Sequence, residues 1–291
     1  MKTIENDLRI IEPYKTTLSK NNAYWMARIS KLAYCRHQDG RPDEETIIAD
    51  LKAEDKKFIS VTGESKNSSQ AILVEHEDYF CIGFRGTDEI ADWLDNINVK
   101  RKKMLFGKFH SGFAKSLKDV WKPLFNKYQE LRLKKKRPLF LTGHSLGGAI
   151  ATVAAAKLID KDLPFISVYT FGQPRTVDRQ TARIFNAEAK SRFFRFHNNN
   201  DIVTRVPGRV SGYSHVGICV YITQEMTLQL DPGFWFRFLD GVDGVTNDIS
   251  KLSIDFIADH DIDKYLSAVK SWNLITCLLY TSDAADESRC V

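Results

Sequence analysis

Leu139-Phe140-Leu141-Thr142-Gly143-His144-Ser145-Leu146-Gly147-Gly148-Ala149 is the stretch on which the reading of this chain turns. It begins as a short apolar run, Pro138 to Thr142, that reads as a strand, and it ends in a small-residue, Ala-rich helical pattern, Leu146 to Leu158. Between them lies Gly143-x-Ser145-x-Gly147. A serine held on a sharp strand-to-helix turn is the geometry of a nucleophile elbow. Gly143, His144 and Gly147 form the elbow, the two glycines letting the backbone pass close beneath the serine, while Gly148, Ala149 and Ala151 let the helix pack tightly on the sheet. Ser145 is then expected above the sheet with its hydroxyl exposed. The helix N-terminus beside it offers free N–H groups and positive potential where an oxyanion would form. A plain Gly-rich turn opening a helix is the alternative, and the flanking strand and small-residue helix weigh against it.

Working outward, short apolar runs predict strands at Gln70–Glu75, Tyr79–Phe84, Phe165–Phe171, Ser191–His197 and Ile218–Thr223. Helical spacing predicts helices at Asn21–Tyr34, Ala114–Lys136 and Thr181–Lys190. The polar stretch Arg41–Lys66 is expected to cover the surface. Strand, helix, strand, helix, strand in this order predicts an α/β fold, a mainly parallel twisted sheet with helices on both faces. No break in composition divides residues 1–276, which are expected to form one domain.

A serine is a poor nucleophile at neutral pH without a base. In an elbow fold the chain order is serine, acid, histidine, and three histidines follow Ser145: His197, His215 and His260. Asp201, at the tip of the polar loop after the strand that ends at His197, is the preferred acid; Asp178 and Asp231 fit a strand end less well. An Asx-type turn residue is the other reading of Asp201. The base is then His215 or His260. A late loop swinging over the sheet edge favours His260, and His215 stays open on the residues alone.

The chain has 291 residues, 43% hydrophobic and 27% charged, enough apolar content for a sizeable core. Net charge is +5, too small an excess to argue for nucleic acid. The densest basic runs are Lys100–Lys103 and Lys134–Arg137; the second suits the negative end of a helix dipole. No apolar run is long enough to span a membrane, and Met1–Ile11 holds no signal-peptide core. Cys35, Cys81 and Cys219 show no CxxC spacing, so neither a zinc site nor a disulfide framework is predicted, and a reducing, cytoplasmic location is expected, leaderless export aside. Residues 277–291, with Cys277 and Cys290, resemble a translated sequencing adaptor and stand outside the fold reading.

The residues from Ala71 to Tyr265 resemble the class 3, fungal-type lipase family of the α/β-hydrolase superfamily. The resemblance rests on ordered blocks: Phe84-Arg85-Gly86-Thr87, Trp93, His110-Ser111-Gly112-Phe113, Thr142–Gly148, Phe171-Gly172-Gln173-Pro174-Arg175, Asn200-Asp201 with Pro207, Tyr213-Ser214-His215, and Asp259-His260. It implies an α/β-hydrolase fold with Ser145 as nucleophile, Asp201 as acid, His260 as base and the His215 block as structural. It implies an oxyanion hole from the N–H groups of Leu146 and Thr87. Residues 88–99 stand where the family carries a lid. Ile90, Trp93, Leu94 and Ile97 recur there at helical spacing among Asp88, Glu89, Asp92 and Asp95, and either a lid or an ordinary surface helix fits. A second stripe, Phe234–Leu239, reads as acyl groove or core.

The expected function is a carboxylic ester hydrolase, a lipase acting on acylglycerols with a lipid or small ester as substrate. Short-chain carboxylesterase and phospholipase A1-type activities are the alternatives, and a non-catalytic lipid or partner binder is a remote one. No cofactor and no metal are required, no nucleic-acid motif appears, and transient contact with a lipid interface fits an amphipathic lid.

Overall fold

A computed structural model describes residues 8, 10–97, 99–232 and 258–275. Within them the chain forms strands β1 (Phe58–Lys66), β2 (Ser69–His76), β3 (Phe80–Phe84), β4 (Arg101–Met104), β5 (Gly107–His110), β6 (Leu139–His144), β7 (Ser167–Phe171), β8 (Val177–Asp178), β9 (Phe193–Asn198), β10 (Tyr213–Ser214), β11 (Ile218–Ile222), β12 (Thr227–Leu230) and β13 (Asn273–Ile275). The helices are α1 (Lys20–Leu32), α2 (Glu44–Glu54), α3 (Ile90–Asp95), α4 (Ser111–Lys134), α5 (Leu146–Asp160), α6 (Arg179–Ala189) and α7 (Ile262–Ser271). The lipase-like resemblance to an α/β-hydrolase fold is met by a nine-stranded sheet in the order β1-β2-β3-β6-β7-β9-β11-β12-β13. Its centre, β3, β6, β7, β9 and β11, is parallel, and antiparallel pairing is kept to the flanks.

Central parallel strands are covered on both faces, so their residues are buried regardless of parity. All six residues of β6 are buried, and alternate side chains enter different cores. Leu139 and Leu141 join the cluster under α4, α5 and α6; Phe140 joins the opposite one, with Trp25 of α1 and Tyr265 of α7. Thr142 is the polar exception on that second face. Its Oγ1 bonds the carbonyls of Met26 (3.1 Å) and Tyr169 (2.8 Å), which ties α1 to the strand that leads into the elbow.

Two expectations change. Arg41–Lys66 is not a polar cover: it holds α2 and the edge strand β1. Asp43 caps α2 through Thr46 N–H (3.0 Å), and Ile47 and Leu51, one helical turn apart, are fully buried. Most of β1 is half-buried or exposed, as an edge strand is, so its buried apolar residues are confined to Phe58 and Val61, while Ile59 faces outward. The basic run at Lys100–Lys103 belongs largely to β4, in a second sheet ordered β10-β8-β5-β4. The Lys134–Arg137 run ends α4, yet Arg137 turns inward and pairs with Glu75 at 2.7 Å.

The start of α5 packs directly on β3. A Cβ on Gly147 would lie 2.0 Å from the Phe84 carbonyl oxygen, a backbone atom that cannot rotate away; at Gly208 the nearest atom is 3.6 Å off. Gly147→Ala is therefore expected to destabilise by at least about 2 kcal/mol, and Gly208→Ala by under about 0.5 kcal/mol. Urea unfolding of the two variants checks this, and equal effects would refute the close approach.

Candidate active site

Ser145 joins β6 to α5 with φ 56° and ψ −130°, a region that L residues enter only under constraint. Its N–H donates to the Phe171 carbonyl (2.9 Å), and its own carbonyl accepts from Gly148 N–H (3.0 Å). The turn closes because the glycines have no Cβ: one on Gly143 would lie 2.4 Å from the Gly147 carbonyl. Gly86 is equally tight, its Cβ position lying 2.8 Å from the His144 carbonyl oxygen and 3.0 Å from Ser145 Cβ. Ser145 is 0% exposed. The expected exposed hydroxyl is thus covered, with the Gly86 segment closed against the nucleophile.

Asp201 follows β9 and is 0% exposed. Its Oδ1 accepts from Val203 N–H (2.9 Å), and its Oδ2 accepts from His260 Nδ1 (2.8 Å) and from the Tyr265 hydroxyl. Burial pushes this carboxyl up, but the adjacent His260 and the hydrogen bonds from His260 and Tyr265 outweigh it and hold it below the usual carboxylate range. A carboxylate only accepts, so His260 Nδ1 is the donor in this pair, and in the neutral tautomer Nε2 is then the acceptor. His260 Nε2 and Ser145 Oγ are both buried, and neither has a hydrogen-bond partner among the described residues.

Three further groups hold this pair, and a sequence search for nucleophile, acid and base passes over them. Gly172 has φ +60°, and a Cβ there would lie 2.7 Å from His260 Cε1 and 2.9 Å from Asp201 Oδ2. Tyr265, a core residue of α7 by its periodicity, also bonds Asn198 N–H through its hydroxyl oxygen (3.1 Å). His144 bonds the His260 carbonyl through Nε2 (2.7 Å) and Tyr34 through Nδ1 (2.8 Å). A carbonyl accepts, so His144 Nε2 carries the hydrogen and Tyr34 O–H donates to Nδ1. Burial first, and the neighbouring His260 second, push His144 down to about 3. It is a neutral strut between α1 and the candidate base. The Gly143–Gly147 spacing signals the elbow but not the role of the residue inside it.

The other candidates are occupied elsewhere. His215 Nε2 donates to the Thr204 carbonyl (2.8 Å), and His197 Nε2 meets Thr204 Oγ1 (3.0 Å). Asp178 caps α6 at Thr181 N–H (2.8 Å), and Asp231 accepts from Cys219 N–H (2.8 Å). Thr87 Oγ1 accepts from Glu89 N–H (3.2 Å). Leu146 stands at the first position of α5, where a helical N–H has no intrahelical acceptor. In residues 88–99, α3 is a single six-residue helix with no buried residue; Ile90, Trp93 and Leu94 are half-buried, and Trp93 stacks on Phe113 at 6.3 Å. The Phe234–Leu239 stripe and residues 277–291 lie outside the described residues. Among those described, no cluster of His, Cys, Asp and Glu could hold a metal ion, and no helix is long and apolar enough to cross a membrane.

Residues 81–211 match the family described as Lipase (class 3). The chain is 27% identical over 236 residues to a secreted mono- and diacylglycerol lipase of Fusarium solani, covering 73% of this chain and 67% of that protein. It is 29% identical over 195 residues to secreted mono- and diacylglycerol lipase A of Penicillium cyclopium, covering 64% and 63%. A solved triacylglycerol lipase, whose catalytic centre is described as a serine protease triad, superposes with a TM-score of 0.60 at 26% identity, covering 70% of this chain and 80% of that one. The chain spans about two thirds or less of the length of these curated relatives. The cytoplasmic location expected above is corrected, because the relatives are named as secreted proteins, which points to an extracellular one. The cysteine argument for a reducing compartment also fails on physical grounds. Cys81 and Cys219 are buried, and burial pushes the Cys81 thiol well up, so an oxidising medium would find little thiolate there.

His144, His197 and His215 are all displaced downward, by burial first, His144 and His197 to about 3. The unfolded chain takes up these protons near about pH 6.5. Their stabilising contribution is therefore complete above about pH 6.5 and is lost as pH falls toward the folded values, by roughly 1.4 kcal/mol per pH unit per histidine. Urea unfolding between about pH 7 and about pH 5 should show this decline, and His197→Gln should remove about one histidine's share of the slope. A flat profile would exclude neutral buried histidines.

Proposed function

We propose that this chain, whose residues 81–211 match the class 3 lipase family, is a carboxylic ester hydrolase that cleaves acylglycerols through Ser145, His260 and Asp201. One observation carries the reading. The Asp201–His260 bond fixes Nδ1 as the donor, and among the described residues neither the buried His260 Nε2 nor the buried Ser145 Oγ has a hydrogen-bond partner.

In this reading Ser145 Oγ attacks the ester carbonyl carbon while His260 Nε2 takes its proton. Asp201 keeps Nδ1 as the donor and stabilises the imidazolium that forms. The tetrahedral oxyanion lies against the N–H groups of Leu146 and Thr87, the first at the positive end of α5. The C–O bond breaks, His260 returns the proton to the departing alcohol, and the acyl group stays on Ser145. Water, deprotonated by His260, then releases the carboxylic acid and restores the serine. Every proton has a named carrier among the protein's own groups. We read 1–276 as one such domain, a reading supported by two cores on opposite faces of a single sheet.

The covered serine gives residues 88–99 a role. With no buried residue and a half-buried apolar stripe over Phe113, α3 is weakly held. It is the element we assign as a lid that moves when its apolar face meets lipid.

Ser145→Ala should lower hydrolysis of p-nitrophenyl esters by at least about 10³-fold and abolish labelling by a fluorophosphonate, with the unfolding midpoint little changed. Asp201→Asn should lower kcat by a similar factor. Full activity or labelling in Ser145→Ala would refute the mechanism. With an acylglycerol, the rate should jump once substrate exceeds its solubility; a smooth saturation curve, fastest on short soluble esters, would replace lipase by esterase.

A further inference from the structure

On the far side of the loop that carries Asp201 lies a cleft of about 490 Å³ with no role in the ester chemistry. Its walls hold Arg175, Arg179, Lys190, Arg195, Arg209 and His215. Asp231 is the acidic residue there, and it is paired with Lys190 at 3.2 Å. The four arginines have no carboxylate partner among the described residues. Arg195 is the decisive one. It projects from the middle of β9, between Phe194 and Phe196 of the opposite core, it is 5% exposed, and its Nε has no hydrogen-bond partner among the described residues. Arg175 lies beside it with an unpartnered Nε. Burial, then the charges of Arg209, Arg195 and Arg205, push the Arg175 guanidinium down to about 10.

Buried like charges with no counter-charge are costly, and a protein that keeps them gains by binding an anion. Several guanidinium groups converging from β9, the start of α6 and the 209–211 turn offer more N–H donors than a single carboxylate can accept, and their fork matches phosphate oxygens. His215 adds a different demand. Its Nε2 donates to Thr204, so its unpartnered Nδ1 is an acceptor that calls for an O–H on the ligand. The volume leaves room for a small polar body beyond the phosphate itself.

We propose that this cleft is a binding site for a phosphate monoester carrying hydroxyl groups, as a free small molecule or as the headgroup of an anionic phospholipid. The site adjoins the acid loop: Arg175 Nη1 donates to the Arg205 and Pro207 carbonyls, the latter at 3.0 Å, and His215 holds Thr204. An occupied cleft would therefore brace residues 201–207 from behind.

The test is calorimetric titration of the full chain with inorganic phosphate and with glycerol 3-phosphate, at ionic strength balanced by chloride. Cosedimentation with vesicles of ether-linked phosphatidate, which offers no ester to hydrolyse, runs alongside. Saturable binding of either soluble anion, weakened at least tenfold by Arg195→Gln and by Arg209→Gln, supports a free ligand; vesicle binding weakened by the same variants supports a headgroup. Arg209 and Arg179 are exposed, so Arg209→Gln and Arg179→Gln keep the test valid if the β9 variant does not fold. Lys136→Ala, in the other basic run, should change neither affinity. Phosphate behaving as chloride with no vesicle binding, or affinities untouched by the arginine variants, overturns the site.

Discussion

A carboxylate with no exposure to water must be satisfied entirely by the protein, and the arrangement around Asp201 follows from that demand. One oxygen takes a backbone N–H from its own loop, and the other takes an imidazole and a phenol. The phenol belongs to Tyr265, and its hydroxyl oxygen also accepts from Asn198 at the end of β9. The imidazole belongs to His260, whose carbonyl is held by His144 inside the elbow, which is held in turn by Tyr34 just after α1. Segments from both ends of the described chain are thus tied to one ion, α7 directly and Tyr34 through His144 and His260. Removing any strut leaves a buried charge or a buried donor unpaired, which costs more than the bond itself gains.

The same density explains the glycines. At positions 86, 143, 147 and 172 a Cβ would meet backbone or the Asp201–His260 pair within 3.0 Å. Ser145 at the end of β6, Asp201 in the loop after β9 and His260 in the turn before α7 come together where these close approaches leave no room for further side chains. The outcome is a nucleophile that is assembled and covered. Rigid support lies below, in β6 and α5, and the weakly held α3 lies among the elements nearby. In the proposed reading, stability and access are supplied by different parts of the chain, since a moving lid must come from the least stable region.

Much of this was legible in the string of residues. The strand–turn–helix at Leu139–Ala149 with Ser145 at its turn, and the alternation of strands and helices, rest on local periodicity and small-residue spacing. Those signals survive because central parallel strands are apolar throughout and the elbow tolerates only small neighbours. Edge elements were less legible. β1 turns polar after Val61 because it lies at the sheet edge, and β4 is written almost wholly in lysine and arginine, so neither carries a sustained apolar pattern. The Arg195 cleft was invisible for another reason. Its cations are scattered over 35 positions of chain, and only the crossing of β9, α6 and the 209–211 turn brings them together.

The sequence by itself determined the fold class and the elbow, because each is a matter of local spacing. It left His215 and His260 open as partners of Asp201 until a family resemblance was invoked. Tertiary structure decided that pairing: His260 Nδ1 reaches the carboxylate at 2.8 Å, whereas His215 faces the Thr204 carbonyl. It also decided that His144 is a neutral strut and that Ser145 is covered, since burial and partner geometry arise only where distant segments pack together.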